Sequence, residues 1–144
     1  MRAVCQRVSE ARVHVRDDVV GEIAAGLVVL LGIERGDEAA AAHRLAGKVA
    51  RLRIFDDVEG RFDRSVIDVG GAVLVVSQFT LLADTRRGNR PSFTRAAPPE
   101  EAEPLYEQFC EAIAGEGIEV ARGVFGARMA LELVNDGPVT IVLD

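Results

Sequence analysis

Histidine, cysteine, lysine and tryptophan are scarce or missing in this 144-residue chain, and each shortage closes a route to chemistry. The two histidines, His14 and His43, stand alone. His14 falls on the polar side of an alternating stretch and His43 in a helical one, so both read as structural. No spacing of Cys, His and Asp looks like a metal ligand set, and neither a metal nor a cofactor is expected. A Ser-His-Asp triad needs a positioned base, which leaves Ser77 a poor triad nucleophile. The two cysteines, Cys5 and Cys110, build no framework of bridges; a cytosolic protein with reduced thiols is the simple expectation. There is no Gly-rich phosphate loop, and Gly32, Gly36, Gly70-Gly71, Gly123 and Gly126 read as turns and close packing.

Long apolar runs are missing too. The longest, Leu27 to Ile33, is strand-sized, far short of the roughly 18 residues a membrane span needs. Met1-Arg2-Ala3-Val4 leads straight into a strand-like pattern, without a signal peptide, so a cytoplasmic protein with no membrane role is expected. Of 17 basic residues only Lys48 is a lysine, and the net charge is −6. That balance argues against a strong nonspecific nucleic-acid binder. It leaves room for a local patch, since Asp84 to Arg95 carries Arg86, Arg87, Arg90 and Arg95 against one acid. Arginine suits bidentate phosphate contact, but a GC-rich genome yields arginines by default, and composition alone leaves both readings open.

What is present is ordinary for a folded domain: 49% apolar and 28% charged residues, enough to build a core in one domain spanning residues 1–144. Ala3 to Val8 is mostly apolar. Ala11, Val13 and Val15 alternate with Arg12, His14 and Arg16, the period of a half-buried strand. Asp17-Asp18 reads as a turn and Val19 to Ile23 as the next strand. Leu27 to Ile33, apolar throughout, reads as a central strand. Asp37 is a plausible N-cap for a helix whose apolar face is Ala42, Leu45, Ala46, Val49 and Leu52. A loop around Asp56-Asp57 and Glu59-Gly60 precedes the strand Ala72 to Val76. Pro98-Pro99-Glu100-Glu101 opens a second helix with the stripe Ala102, Leu105, Tyr106, Phe109, Ala112 and Ile113, stopped by Gly115 and Gly117. The fold class expected is α/β: a mixed, mostly antiparallel sheet with two main helices packed against it.

Two segments concentrate the functional signal. Ser77-Gln78-Phe79-Thr80-Leu81 follows the buried run Ala72 to Val76, putting hydroxyls, an amide and free main-chain N–H groups where a strand reaches the surface. Asn135-Asp136-Gly137-Pro138-Val139-Thr140 joins a strand expected over Met129 to Val134 to another over Val139 to Leu143 through Asp-Gly-Pro. That joint is either a trans β-turn or a cis Gly–Pro bond, the latter with a generic frequency of about 5–6%. Together they suggest a pocket built mainly from main chain.

In order along nearly the whole length, Met1-Arg2-Ala3-Val4, Gln6-Arg7-Val8, Gly21-Glu22-Ile23, Leu52-Arg53-Ile54-Phe55, Val76-Ser77-Gln78-Phe79-Thr80-Leu81, Arg90-Pro91-Ser92-Phe93, Phe125-Gly126-Ala127 and Val134-Asn135-Asp136-Gly137-Pro138-Val139-Thr140 resemble the D-aminoacyl-tRNA deacylases, first known as D-tyrosyl-tRNA deacylases. The resemblance implies a cytoplasmic, metal-free homodimer with active sites at the subunit interface. Its partner would be tRNA carrying a D-amino acid or glycine, whose ester it hydrolyses. It implies that Ser77, Gln78, Phe79 and Thr80 form the catalytic wall. Gly137 and Pro138 would reach in from the other subunit to select chirality, Arg7 would brace them, and Met129 would line the pocket nearby. Arg86, Arg87 and Arg90 are the candidate tRNA contacts.

An activated ester needs less help than an amide. Main-chain N–H groups at Phe79 and Thr80 would stabilise an oxyanion, worth about 3–4 kcal/mol per donor in well-studied cases. With no base beside Thr80, a route without a covalent intermediate is favoured, the water being held by the terminal ribose hydroxyl. An L-side chain would be rejected by collision with main chain at Gly137-Pro138, while glycine would pass. The chain departs from the family pattern at Arg122, where Thr is usual, and at Arg128, where an acid is usual; Asp63 replaces a common Asn. Two other readings stand beside this one: a noncatalytic RNA-binding module and a general small-molecule esterase.

Overall fold

The computed structural model describes every residue from Met1 to Asp144. Eight strands and two helices follow in the order β1 (Arg2–Val15), β2 (Asp18–Ile23), β3 (Gly26–Gly32), α1 (Ala39–Arg51), β4 (Phe55–Asp56), β5 (Phe62–Arg64), β6 (Ala72–Ser77), α2 (Pro99–Gly115), β7 (Glu119–Arg122) and β8 (Ala130–Leu143). A single 3-10 turn, Phe79–Leu82, leaves the end of β6. The main sheet runs β2-β1-β3-β6-β7, with β8 also paired to β1. β1 is antiparallel to β2, β3 and β8. β3–β6 and β6–β7 are parallel, because each return passes through a helix, as parallel connections require. The mixed, mostly antiparallel sheet with two helices is the expected class.

The helices share one face of the sheet. Ala42, Leu45, Ala46 and Val49 of α1 and Ala102, Tyr106, Phe109 and Ile113 of α2 pack on Leu27, Val29 and Leu31 of β3 and Val73 and Val75 of β6. The alternate residues Val28, Leu74 and Val76 point into a second cluster with Val8, Ala11, Val13 and Ile23. A strand buried on both faces must be apolar throughout, which is why β3 and β6 were readable from composition. The sheet curls so far that β2 nears β7: a Cβ on Gly21 would lie 2.4 Å from the Arg122 carbonyl oxygen. No helix is long and apolar enough to cross a membrane.

Four local expectations change. The strands expected over Met129 to Val134 and Val139 to Leu143 are one, β8, which runs on through Asp136-Gly137-Pro138. Ala3–Val8 and Ala11–Val15 are one strand; the polar break at Ser9-Glu10 marks shifts in the β1–β8 pairing. The β1–β2 turn is one residue earlier than expected, with Arg16 at φ 57° and Asp18 already in β2. Asp37 is not the N-cap of α1. Its Oδ2 accepts the Glu34 N–H at 2.7 Å and lies 2.8 Å from the Met1 ammonium. The cap position falls to Glu38, which makes no side-chain cap bond.

Candidate active site

β6 is held rigidly before it delivers its last residues. The Val75 carbonyl accepts from the Tyr106 hydroxyl at 2.9 Å and from the Gly123 N–H at 3.1 Å, joining α2 and the end of β7 to β6. Ser77 ends the strand, and the Gln78 N–H donates to Leu31 of β3 at 2.8 Å. The chain then coils into the 3-10 turn. There the Leu81 N–H takes the Gln78 carbonyl, while the N–H groups of Phe79 and Thr80 have no acceptor within the chain, as expected for the opening residues of a helical turn. Gly32 permits the close approach: a Cβ there would lie 2.5 Å from Leu82 Cδ2 and 3.1 Å from the Gln78 carbonyl oxygen. The Gln78 amide donates to the Thr80 hydroxyl oxygen. No histidine or carboxylate is bonded to Thr80.

Beside this turn lies a mainly apolar cavity of about 550 Å³. Ser77, Gln78 and Phe79 form one wall and Met129 another. Met129 is seated against Gly123, where a Cβ would come within 2.7 Å of its Sδ. Thr80 is exposed and not among the lining residues. The sequence reading missed the aromatic wall. Phe93 packs edge-on against Phe79, with centroids 5.1 Å apart and planes at 73°. Phe125 lines the cavity and leans on Tyr106 at 5.9 Å. Their appearance in short motifs of a chain with only six phenylalanines was the available signal.

Gly137 and Pro138 are not in this cavity. Between the pairs Gln6↔Thr140 and Val8↔Asn135, β8 advances further than β1, so Asp136 to Val139 bulge out opposite Arg7. The Asn135 amide closes the base of the bulge, donating to the carbonyls of Arg7 and Val139, both at 3.0 Å. The Gly137–Pro138 peptide bond is cis. Arg7, only 7% exposed, donates from Nε to the Asp136 carbonyl at 3.2 Å and from Nη1 to the Ile54 carbonyl at 2.8 Å and Asp56 Oδ1 at 3.2 Å. Phe62 of β5 covers its guanidinium, 5.9 Å from ring centroid. Gly137, at φ 128°, is fixed by crowding: a Cβ would lie 2.7 Å from Val139 Cγ2 and 3.2 Å from Arg7 Nη2. Asp56 and Phe62, which complete the Arg7 setting, were not foreseen.

The remaining candidates are elsewhere. Arg86 is clasped by Asp84, while Arg87 and Arg90 are exposed. His14 Nε2 lies 3.4 Å from Glu132, and His43 is exposed on α1. The thiols are poor nucleophiles: burial pushes Cys5 up to about 12 and Cys110 up to about 11. The candidate site thus pairs two unengaged main-chain N–H groups with an apolar, aromatic-walled cavity next to their turn.

Comparison with known proteins adds to this geometry. The sequence model of the family described as "D-Tyr-tRNA(Tyr) deacylase" matches residues 4–144. The chain is 62% identical over 144 residues to a D-aminoacyl-tRNA deacylase of Roseiflexus sp. (strain RS-1), covering 100% of this chain and 93% of that protein. It is 56% identical over 144 residues to one of Deinococcus deserti, covering 100% and 99%. Among solved structures, one described as a c-Myc DNA unwinding element binding protein superposes with a TM-score of 0.93 at 39% identity, covering 100% of this chain and 98% of that one. Another, described as a probable eukaryotic D-amino acid tRNA deacylase, has a TM-score of 0.84 at 17% identity, covering 99% and 97%, a likeness of fold alone.

Proposed function

The chain belongs to the D-Tyr-tRNA(Tyr) deacylase family and is a hydrolase of the D-aminoacyl-tRNA deacylase kind; from that premise we propose that it frees tRNA from D-amino acids and from glycine while sparing L-aminoacyl-tRNA. The observation that carries the reading is the pair of unengaged N–H groups at Phe79 and Thr80 beside the cavity. They are main-chain donors at a strand end that β3 and α2 hold in place, with no nucleophile–base pair nearby. Water adds to the ester carbonyl, the oxygen takes the negative charge against these N–H groups, and collapse expels the 3′ ribose oxygen, which leaves with a proton as tRNA. Donors fixed before the reaction pay no reorganisation cost when charge develops.

The working form in this reading is a homodimer acting in the cytoplasm. Two features support it. Gly137-Pro138 is exposed and lies outside the cavity walled by Ser77, Gln78 and Phe79, so a second copy is a natural source for it. β8 pairs only with β1 and exposes Val134 and Val142, leaving an unpaired strand edge with two exposed valines for that copy. Once the α-amino group of the substrate is anchored, an L-side chain meets main chain around Gly137, which cannot rotate away as a side chain would. A D-side chain points elsewhere and glycine has none.

Matched D-tyrosyl-tRNA and L-tyrosyl-tRNA test this directly, with glycyl-tRNA as the third substrate. Ester loss from the D and glycyl forms alone is expected. Loss from all three would sink the exclusion mechanism. The solved relative described as a DNA unwinding element binding protein raises a second reading, nucleic-acid binding without turnover. Tight binding with no ester loss from any form would favour it.

A further inference from the structure

Hydrolysis of an RNA-linked ester leaves a question of attraction. The cavity is mainly apolar and the chain carries a net charge of −6, so a polyanion must be held by cations placed near the mouth. Local carboxylates sort the arginines there. Asp84 holds Arg86 through both arms, Nε to Oδ1 at 3.0 Å and Nη2 to Oδ2 at 2.7 Å, and accepts its main-chain N–H at 3.0 Å. Glu107 of α2 holds Arg122, and Glu34 holds Arg95 at 2.9 Å. Arg87, Arg90 and Arg128 are exposed and have no carboxylate, carbonyl or hydroxyl partner in the chain.

Their places are not scattered. Arg87 and Arg90 lie in the loop from residue 85 to 91. Its base is pinned by reciprocal main-chain bonds between Asp84 and Ser92, at 2.8 and 2.9 Å, and its exit leads to Phe93, a wall residue packed on Phe79. Arg128 lies between Ala127 and Met129, both wall residues. An unpartnered guanidinium surrenders nothing when it meets a phosphate, and its fork matches two phosphate oxygens. A guanidinium already clasped by a carboxylate must first give that up.

Building on the hydrolase reading of the cavity, we infer that Arg87, Arg90 and Arg128 grip the phosphodiester backbone of the single-stranded 3′ end whose terminal ester enters the cavity, while Arg86 and Arg122 brace the protein and leave the RNA untouched. The sequence pooled Arg86 with Arg87 and Arg90; the carboxylate partners separate them.

The test is the salt dependence of binding to uncharged tRNA, which carries the phosphates and needs no turnover. Each single-strand phosphate contact contributes about 0.7 to the slope of log Kd against log salt. The double variant Arg87→Gln/Arg90→Gln is expected to flatten that slope by about 1.4, and Arg128→Gln by about 0.7. Arg86→Gln should keep the wild-type slope, as should Arg87→Lys/Arg90→Lys, which preserves the charges. A wild-type slope in the double glutamine variant, or an equal flattening in Arg86→Gln, would overturn the inference. Ester loss from D-tyrosyl-tRNA by the wild-type chain is followed separately: inactivity there fails the hydrolase reading, and the slopes still decide the arginines.

Discussion

Arg7 and Asp136, 129 residues apart in the chain, meet through a 3.2 Å hydrogen bond from the buried guanidinium to the Asp136 main-chain carbonyl. The same side chain reaches Ile54 and Asp56 on the other side, so one arginine fastens the Asp136–Val139 bulge to the start of the β4–β5 hairpin. A lysine is a point charge and cannot fork to these acceptors. Arg7→Lys is therefore expected to cost about 1–3 kcal/mol of stability, since it leaves the buried Ile54 carbonyl unpaired, read as a lower urea midpoint. If the bulge selects chirality, the D-to-L ratio of kcat/KM also falls, by about tenfold for each 1.4 kcal/mol of lost discrimination. An equal loss on both substrates would confine Arg7 to stability.

The two unengaged N–H groups give a sharper test than any side-chain deletion. Proline suits the first position of a helical turn, and Gln78, at φ −143° and ψ 79°, lies outside the helical region that a following proline disfavours. Phe79→Pro thus removes one donor with little disturbance of the turn, and Phe79→Ala controls for the lost ring. The proline variant should fall below the alanine variant by about 10²–10³ in kcat, the usual penalty for one oxyanion donor. Thr80→Ala should stay near the wild-type rate, because the hydroxyl has no base and already accepts from Gln78. Equal rates for proline and alanine at 79 would remove that N–H from the mechanism.

The parts legible in the sequence are those with a local cause. β3 and β6 announce themselves because burial on both faces demands unbroken apolar runs. The start of α2 is readable because proline and acids favour a first turn. Asp37 misleads because its carboxylate is drawn to the Met1 ammonium and the Glu34 N–H, partners that propensity does not weigh. Around the candidate site, Ser77 to Phe79 and Met129 belong to short motifs and line the cavity. The Phe93–Phe79 edge contact and the Phe62 cover over Arg7 join segments with no shared periodicity, and only the fold brings them together. The split among Arg86, Arg87 and Arg90 was equally out of reach, because it depends on where Asp84 points.

The buried thiols make stability fall in alkali, and the sign follows from their protonation. Cys5 and Cys110 sit in the core under the helices, where burial raises them to about 12 and about 11. In the unfolded chain a thiol ionises near its ordinary value of about 8.5. Below that pH both states are protonated and the core keeps its full stability. Between about 8.5 and about 11 the unfolded chain releases protons that the folded one retains, so rising pH favours unfolding. Urea midpoints should therefore hold steady from pH 6 to 8 and decline above it. In Cys5→Ala/Cys110→Ala the core loses two small side chains and starts less stable, but the decline above pH 8.5 should be shallower, because two ionising groups are gone from the unfolded state. Parallel declines in wild type and double variant would assign the alkaline loss to other groups.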